Sequence, residues 1–230
     1  MGEEISLKLS GADAVLEAIR TTGATRYLST EDVPDSVIVK AIEAARFGPS
    51  GGNRQPVRWI VVRDPKMRKR LADLYQPLWD RDMEMFLTGQ MRTGATLGPT
   101  VQAADYMSKH YADAPAIVVA TVQKADMHAH MKGPDGPNMV GGSSIYPFVQ
   151  NFCLALRSMG VGSCITTLLT ECEEQVAKLL NVPDEAVCAC HILVGYPQGT
   201  FPTQLNRMPL EELIFSEKYG VSHPSASGGK

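Results

Sequence analysis

The segment FGPSGGNRQP, residues 47–56, combines three glycines and two prolines with the polar side chains of Ser50, Asn53 and Gln55. Glycine lets the backbone enter conformations that other residues avoid, and the N–H groups of such a turn can hold an anion or the carbonyl edge of a ring. The hydroxyl and the two amides suit a heterocycle that alternates C=O and N–H groups. The pattern predicts a turn that closely approaches a flat, phosphate-bearing ligand. A plain solvent-facing turn is the alternative.

Two arginines could bind the phosphate of such a ligand. Arg26 follows the first predicted helix, and Arg207 lies in a C-terminal segment with few other charges nearby. A guanidinium can hold a phosphate through two parallel hydrogen bonds. For each arginine the alternative is a position on the surface with no ligand, which is the commoner outcome for any single arginine.

A second glycine-rich segment, MGVGSCITTLL at residues 159–169, also allows the backbone to approach a flat ligand. Its glycine pair ends an apolar helix, and Thr166 and Thr167 follow. An ordinary glycine-capped helix leading into a buried extended segment is the alternative. Cys164 is a poor candidate nucleophile, because no histidine is near it in sequence and nothing nearby would lower its pKa.

The side chains do not form a recognisable catalytic group. No Ser-His-Asp arrangement can be argued from the spacing, and general acid–base candidates are scarce, which favours a cofactor that carries the chemistry. His128 and His130 in MHAHM could share a face of an extended segment and bind a metal. Two histidines in a loop are more often solvent-exposed, so we expect no metal site and no catalytic side chain.

The composition excludes several classes of protein. The 230 residues are 44% hydrophobic and 20% charged, with a formal net charge of −3 and no basic block, so a nucleic-acid partner is not expected. No apolar run approaches the roughly 18 residues of a membrane span, and the start of the chain lacks the apolar core of a signal peptide. The five cysteines favour the reducing cytoplasm. Cys188 and Cys190 are interpreted as small buried hydrophobes that share one face of a strand.

The predicted elements, in order, are two helices, a strand, a helix, a strand, a buried helix, a further helix, a strand and a C-terminal arm. Runs of β-branched residues predict the strands at 57–64, at 115–123 and in AVCACHILVG. The segment SSIYPFVQNFCLALRSMGVG is apolar nearly all round, which predicts a buried helix. Pro77 is a candidate break in the charged third helix. We expect one α+β domain over residues 1–230, with disordered ends at 1–9 and 222–230.

Three segments together resemble the nitroreductase family of FMN flavoproteins. TTGATRYLSTEDVPDSVIVKAIEAARFGPSGGNRQPVRWIVVRDP resembles the family's opening, with its P-S-x-x-N-x-Q-P segment before a strand. GGSSIYPFVQNFCLALRSMGVGSC resembles its central helix, and HILVGYPQGTFPTQLNRMPLEEL resembles its closing strand and phosphate-binding arginine. Each motif is weak alone, but the joint pattern runs from about residue 19 to residue 215 and is quite specific.

The resemblance implies a fold, a cofactor and a set of contacts. The fold would be a small mixed sheet flanked by helices, with a long buried central helix, in an intertwined homodimer that holds each flavin between its two chains. Arg26 and Arg207 would hold the FMN phosphate, and the turn would follow the ribityl chain and ring. The implied cofactor-binding residues are Arg26, Pro49, Ser50, Gly51, Asn53, Gln55, Pro147, Thr166, Thr167, Leu168 and Arg207.

One departure concerns the phosphate end. Many members carry two adjacent arginines a few residues before the position of Arg26, where this chain has Thr22 and Gly23. The implied activity is the reduction of nitroaromatic or quinone-like acceptors with NADPH or NADH, in which both substrates use the same flavin face in turn. Alternatives are another chemistry on the same scaffold (reductive dehalogenation, flavin fragmentation or ring oxidation) and a non-catalytic flavin-binding protein.

Overall fold

The computed structural model describes residues 11–88, 98–127, 132–133, 136–137 and 139–225. The helices are α1 (Ala12–Thr21), α2 (Asp35–Ala45), α3 (Pro65–Leu87), α4 (Pro99–Lys109), α5 (Tyr146–Ser158) and α6 (Glu173–Leu180). The strands are β1 (Val57–Val62), β2 (Ala116–Gln123), β3 (Lys132–Gly133), β4 (Gly136–Pro137), β5 (Gly162–Thr166) and β6 (Ala186–Gly195). Short 3-10 helices at Gly51–Asn53 and Leu168–Cys172 lie in the two segments where the sequence places a ligand.

The central sheet has four strands in the order β1-β2-β6-β5, and each neighbouring pair is antiparallel. A parallel pairing is present at the β5 edge, where Ala24 forms an isolated bridge with Ser163. The sheet expected to be mixed is therefore antiparallel in its named strands, with this parallel bridge at its edge. β3 and β4 form a separate two-stranded ribbon. The α+β organisation with a small sheet is confirmed.

Both faces of the sheet are covered. On one face α2 and α5 pack through Ile38, Val149 and Phe152, all of which are almost completely buried. On the other face, Leu71 of α3 and Val176 of α6 are fully buried. A fully buried large apolar side chain stabilises the fold by about 1.5–3 kcal/mol, so these two layers fix the strand ends on which the candidate site depends.

The expectation that Cys188 and Cys190 share one face of a strand is wrong. Both are buried, but Cys190 belongs to the core on the α5 side and Cys188 to the core on the α3 side. A register shift between β2 and β6 pairs Ala120 with Cys190 and Thr121 with Cys188, so one extra residue is inserted into β6. Such a bulge breaks the two-residue alternation. The side chain of Glu173 accepts the backbone N–H of Cys188 at 2.9 Å.

Two helices differ from their expected form. α3 continues through Pro77 without a break over its 23 residues. α5 is the expected buried central helix, with Phe148, Phe152 and Leu156 in the core, yet one side of it is open, since Tyr146 keeps 44% of its surface exposed. The expected disordered ends lie outside the described residues except for residues 222–225, where Ser222 bridges to Phe215. Within the described ranges, no helix has the length and apolar character that crossing a membrane would need.

Candidate functional site

The glycine turn after α2 has an unusual backbone. Gly52, Asn53 and Gln55 have φ angles of 61°, 54° and 51°, in the left-handed region that disfavours residues with a side chain. Non-glycine residues in this region cost on the order of 1–3 kcal/mol and concentrate at ligand sites. The residues from Gly52 to Gln55 are exposed. The chain therefore holds two amide side chains in a strained, solvent-facing turn.

Contacts from distant elements fix this turn. The backbone N–H of Gly51 donates to the Ser144 hydroxyl at 3.0 Å, just before α5 begins. Gly48 lies against Phe148 of α5 so closely that an added Cβ would come within 2.9 Å of the Phe148 backbone nitrogen. Within the turn, the Ser50 hydroxyl accepts the N–H of Gln55 at 3.0 Å. The turn is thus attached to the first turn of α5, next to Pro147.

A second group of residues gathers at the β5 edge. The segment around Arg26 lies along this edge, because the Thr25 N–H donates to the Ser163 backbone oxygen at 2.8 Å. On its other side the Gln198 N–H donates to the Tyr27 backbone oxygen at 3.0 Å. These bonds fix the segment that carries Arg26, and Arg26 and Arg207 both line one cavity of about 580 Å³. The two predicted phosphate ligands, 181 positions apart, therefore lie on the same cavity.

A smaller cavity extends from Arg207 to β5. It has a volume of about 200 Å³ and is lined by Gln150, Cys153, Ser163, Ile165 and Arg207, together with residues 22–24. Gly23, Ala24 and Arg207 line both cavities, so the two are adjacent. The pair forms a trough that starts at β5 and ends beyond the arginines.

Buried aromatic side chains support the end of β5 on the face of the sheet that packs against α3. The Thr166 hydroxyl donates to the Tyr75 hydroxyl at 3.3 Å, and the Leu168 N–H donates to the Thr166 hydroxyl at 3.4 Å. Tyr75 stacks on Tyr111 with ring centroids 4.7 Å apart, and the Tyr111 hydroxyl lies 3.1 Å from Nδ1 of His191. These three ring side chains are at most 2% exposed.

Burial alters the ionisation of this buried group. Desolvation raises the pKa of both Tyr75 and Tyr111 and lowers that of His191 to about 4. At neutral pH all three are therefore uncharged. Nε2 of His191 is buried without a hydrogen-bond partner. Tyr75, Tyr111 and His191 therefore support the end of β5 as uncharged side chains.

The cysteine next to these residues is not a nucleophile. Cys164 is buried, and desolvation raises its pKa, which the charge of Arg26 only partly offsets. Its thiolate is therefore disfavoured at neutral pH. In the described ranges no three His, Cys, Asp or Glu side chains form a group that could hold a metal. His128 and His130 lie outside the described residues.

The predicted site residues therefore form two groups within one chain. Arg26 and Arg207 line the trough with Ser163 and Ile165 of β5. The predicted Thr166, Thr167 and Leu168 come at the end of that strand but do not line the trough. The turn at residues 49–55 lies beside the start of α5. Each group lines a cavity of its own, since Gln55 and Phe148 line a separate opening of about 600 Å³.

The sequence model of the nitroreductase family matches residues 19–196. The chain belongs to the nitroreductase family. The match begins in α1 and ends just after β6, so it includes the turn, α5 and β5. It stops before the arm that carries Arg207.

Relatives within the nitroreductase family include enzymes of different names. A protein of Archaeoglobus fulgidus, provisionally named an NADH dehydrogenase/NAD(P)H nitroreductase, is 28% identical over 185 residues, which cover 80% of this chain and 85% of that protein. Iodotyrosine deiodinase 1 of Sus scrofa is 24% identical over 86% of this chain and 66% of its own length. A solved iodotyrosine deiodinase bound to FMN and 3-iodo-L-tyrosine has a TM-score of 0.65 at 21% identity, covering 89% of this chain and 98% of that one. The solved structure supports the fold alone.

Some residues of this candidate site could not be found from the sequence. Tyr75 is 91 positions from Thr166, in a helix whose composition gives no sign of a buried hydroxyl. Ser144 resembles a helix cap, but its hydroxyl accepts from Gly51, 93 positions earlier in the chain. Ser163 contributes its backbone oxygen, which no side-chain pattern reveals.

Proposed function

We propose that the chain is an FMN-dependent oxidoreductase that uses NADPH or NADH to reduce nitroaromatic or quinone-like acceptors. The observation that supports this most is the shared cavity of Arg26 and Arg207 next to β5 in a chain of the nitroreductase family. The cysteines are free and mostly buried, in keeping with a cytoplasmic protein. We take residues 1–230 as one domain, whose single sheet carries a core on each face.

The trough fits a flavin phosphate. Neither of its cavities is lined by an aspartate or a glutamate, so the charge of the two arginines is not cancelled within it. One hydrogen bond of Arg207 goes to the Asn206 backbone oxygen, at 2.8 Å, through Nη1. Nη2 and Nε remain to hold a dianion, in the forked arrangement that suits phosphate.

The ring system would lie at the end of β5. Thr166 ends β5, Thr167 and Leu168 follow it, and Thr167 is exposed. When bound, FMN would supply hydride and electron transfer between the reduced nicotinamide and the acceptor. The protein's part is to orient the ring, to exclude water from one face and to leave the other face open to both substrates in turn.

A homodimer would join the two groups of site residues. In one chain, the turn at 49–55 and the arginine trough line different cavities. A two-fold axis could place the turn of one chain, with Pro49, Ser50, Gly51, Asn53 and Gln55, against the trough of the other. Large apolar side chains that one chain leaves exposed include Val15, Ile19, Tyr146, Leu210 and Leu213. Such surface is typical of an interface.

The experiment is spectroscopic and kinetic. The purified protein should be yellow, should lose its flavin absorbance when NADPH or NADH is added without oxygen, and should regain it when a nitroaromatic or a quinone is added. Initial rates with both substrates varied should give parallel double-reciprocal lines. A flavin that neither nucleotide bleaches would instead indicate a non-catalytic flavin-binding protein. A colourless protein that does not take up FMN would refute the proposal.

Reductive dehalogenation of a halogenated phenol is the second candidate. The similarity to iodotyrosine deiodinase 1, over 86% of this chain, favours it over other chemistries of the same scaffold. The two activities separate when the protein, reduced by dithionite, is mixed with 3-iodotyrosine and with a nitroaromatic. Release of iodide at a rate that exceeds nitro reduction would assign the chain to dehalogenation.

A further inference from the structure

The opening of about 600 Å³ beside the strained turn is separate from the trough and is lined by neither Arg26 nor Arg207. It is lined by residues of α2 and β1, so we call it the α2–β1 cavity. β1 is an edge strand of the central sheet, and α2 and β1 share the core that α5 covers. The volume is within the roughly 300–1,000 Å³ of small-molecule sites. The side chains that line the cavity indicate which ligand it fits.

The floor of the α2–β1 cavity is apolar and aromatic. Trp59 lines it, and the Trp59 ring lies against Phe152 of α5 with the ring centroids 5.2 Å apart, so the core supports one side of the indole. Ile42, Val57 and Phe148 add further apolar surface. A supported indole beside apolar side chains is a surface on which a flat aromatic ring can pack.

Arg58 places a fixed guanidinium at this floor. Its Nη1 donates to the backbone oxygens of Gln55 at 2.8 Å and Val57 at 2.9 Å, which holds the group beside the start of β1. Among the described residues, Nη2 and Nε of Arg58 have no hydrogen-bond partner. These two nitrogens can therefore receive a carboxylate through two parallel hydrogen bonds.

Arg46, at the C-terminal end of α2, brings a second positive charge to the lining. Its guanidinium carbon lies 5.5 Å from the centroid of the Phe47 ring. Glu43 lines the cavity as well, and within the described part of the chain it forms no ion pair with either arginine. The three charged side chains leave an excess of one positive charge. A monoanion balances this charge, whereas a dianion would leave a negative charge beside Glu43.

The indole N–H of Trp59 is a further donor at the cavity. Nε1 of Trp59 makes no hydrogen bond to any other residue that the structure describes. Trp79, by contrast, donates from Nε1 to a carboxylate oxygen of Asp105 at 3.1 Å. Trp59 packs against the core on the α5 side of the sheet and Trp79 against the core on the α3 side. The two tryptophans of the chain therefore report on opposite faces of the sheet.

We propose that the α2–β1 cavity binds a flat aromatic monocarboxylate. The aromatic ring packs on Trp59, Arg58 holds the carboxylate, and Arg46 supplies the second positive charge. The inference goes beyond the proposed function, because it concerns a second ligand and uses neither the trough nor a flavin.

Magnetic resonance of the two indole N–H groups tests the location. Naphthalene-2-carboxylate is titrated into the purified protein, isotopically labelled at its tryptophan nitrogens, and Trp79→Phe assigns the two signals. We expect the Trp59 signal to shift saturably, with a dissociation constant below about 1 mM, and the Trp79 signal to stay in place. Equal shifts of both signals would overturn the inference. So would the absence of a Trp59 shift, which is the result expected if a second copy of the chain covers this face.

The neutral isostere 2-naphthamide tests the role of the charge. Calorimetric titration should show the carboxylate binding at least about tenfold more tightly than the amide, because hydrogen bonds to charged groups are stronger than neutral ones. Arg58→Gln should remove most of this preference and leave the affinity for the amide unchanged, which also shows that the variant is folded. Arg70→Gln, on the exposed side of α3, is the matched control and should keep the preference. An Arg58→Gln variant that keeps the tenfold preference would overturn the inference.

The outcome is distinguishable from that of the proposed function, because these titrations need neither a reduced nicotinamide nor an acceptor. A colourless protein that shows the Trp59 shift and the charge preference would refute the proposed function and support the carboxylate site. A flavoprotein that reduces its acceptors but lacks both signals would do the reverse.

Discussion

At the scale of single residues, the amide side chains of the strained turn and the two arginines differ in what the sequence could predict about them. Asn53 and Gln55 adopt positive φ angles that an ordinary solvent-facing turn does not need, so the turn has a cost that a ligand could offset. Arg26 and Arg207 meet on one cavity although neither has a sequence neighbour that predicts it. The chemical type of the arginines was readable from the sequence itself, whereas their proximity was expected only from the family resemblance.

The arginines give the first prediction at this scale. Arg207→Ala should weaken FMN binding roughly tenfold or more, because a hydrogen bond to a charged group contributes about 1.5–3 kcal/mol. Binding of riboflavin, which has no phosphate, should be unchanged. Titration of the flavin-free protein by fluorescence measures both constants. The control is Arg70→Ala on the exposed side of α3; an equal loss of riboflavin binding in Arg207→Ala would contradict the phosphate assignment.

His191 gives the second prediction at this scale. Burial lowers its pKa to about 4, whereas the unfolded chain titrates near 6.5, so the unfolded state binds more protons between these values. The free energy of unfolding should therefore fall as pH drops from about 6.5 to 4, by up to about 1.4 kcal/mol per pH unit from this group. Urea unfolding at fixed protein concentration, over this range, measures the slope.

Two substitutions test whether His191 causes that slope. His191→Leu removes the titrating group and should flatten the dependence. Tyr111→Phe removes the hydroxyl 3.1 Å from Nδ1 but leaves the imidazole buried, so it should lower stability and keep the slope. Equal slopes in all three proteins would show that other groups cause the acid sensitivity.

At the scale of elements, the sequence predicted the features that depend on local composition. It did not predict the features that depend on a contact with a residue distant in the chain. β2 is almost entirely apolar and was predicted to within one residue, because a strand covered on both faces has a nearly continuous apolar run. The bulge in β6 was not predicted. The backbone N–H of Cys188 at this bulge donates to the side chain of Glu173, which belongs to a different element. α3 passes Pro77 because Leu71 and Tyr75 fix the preceding turns in the core, a tertiary effect that overrides the local preference.

A glycine gives the prediction for the contact between the turn and α5. Gly48→Ala should lower the free energy of unfolding by about 1–3 kcal/mol, because the new methyl group would meet the Phe148 backbone at 2.9–3.0 Å. Thermal unfolding of the flavin-free protein measures this. Gly199→Ala is the matched control, since nothing lies within 4 Å of a Cβ there. Equal melting temperatures for the two variants would show that the turn does not rest on α5.

At the scale of the whole molecule, one chain holds the residues of the proposed flavin site in two separate places. The trough and the strained turn line different cavities, and no pattern in the sequence states which of them come from the same copy. The arm after β6 also carries exposed apolar side chains. Met208, Leu210 and Leu213 are 52–59% exposed within six positions of one another, and water is a poor environment for such a cluster. We infer that the arm packs on a second copy.

Charged residues in the arm test this assembly. Leu210→Asp combined with Leu213→Asp should convert a dimer into a monomer, because two carboxylates would be buried in an apolar contact. FMN affinity should fall with it, since each site would lose the turn of the other chain. Light scattering coupled to size exclusion measures the oligomeric state, and a flavin titration measures the FMN affinity.

The control variant combines Glu211→Gln with Glu212→Gln. It changes the same exposed segment without altering its apolar side chains, and it should leave the oligomeric state and the FMN affinity unchanged. A monomeric aspartate variant with full FMN affinity would show that one chain completes the site alone.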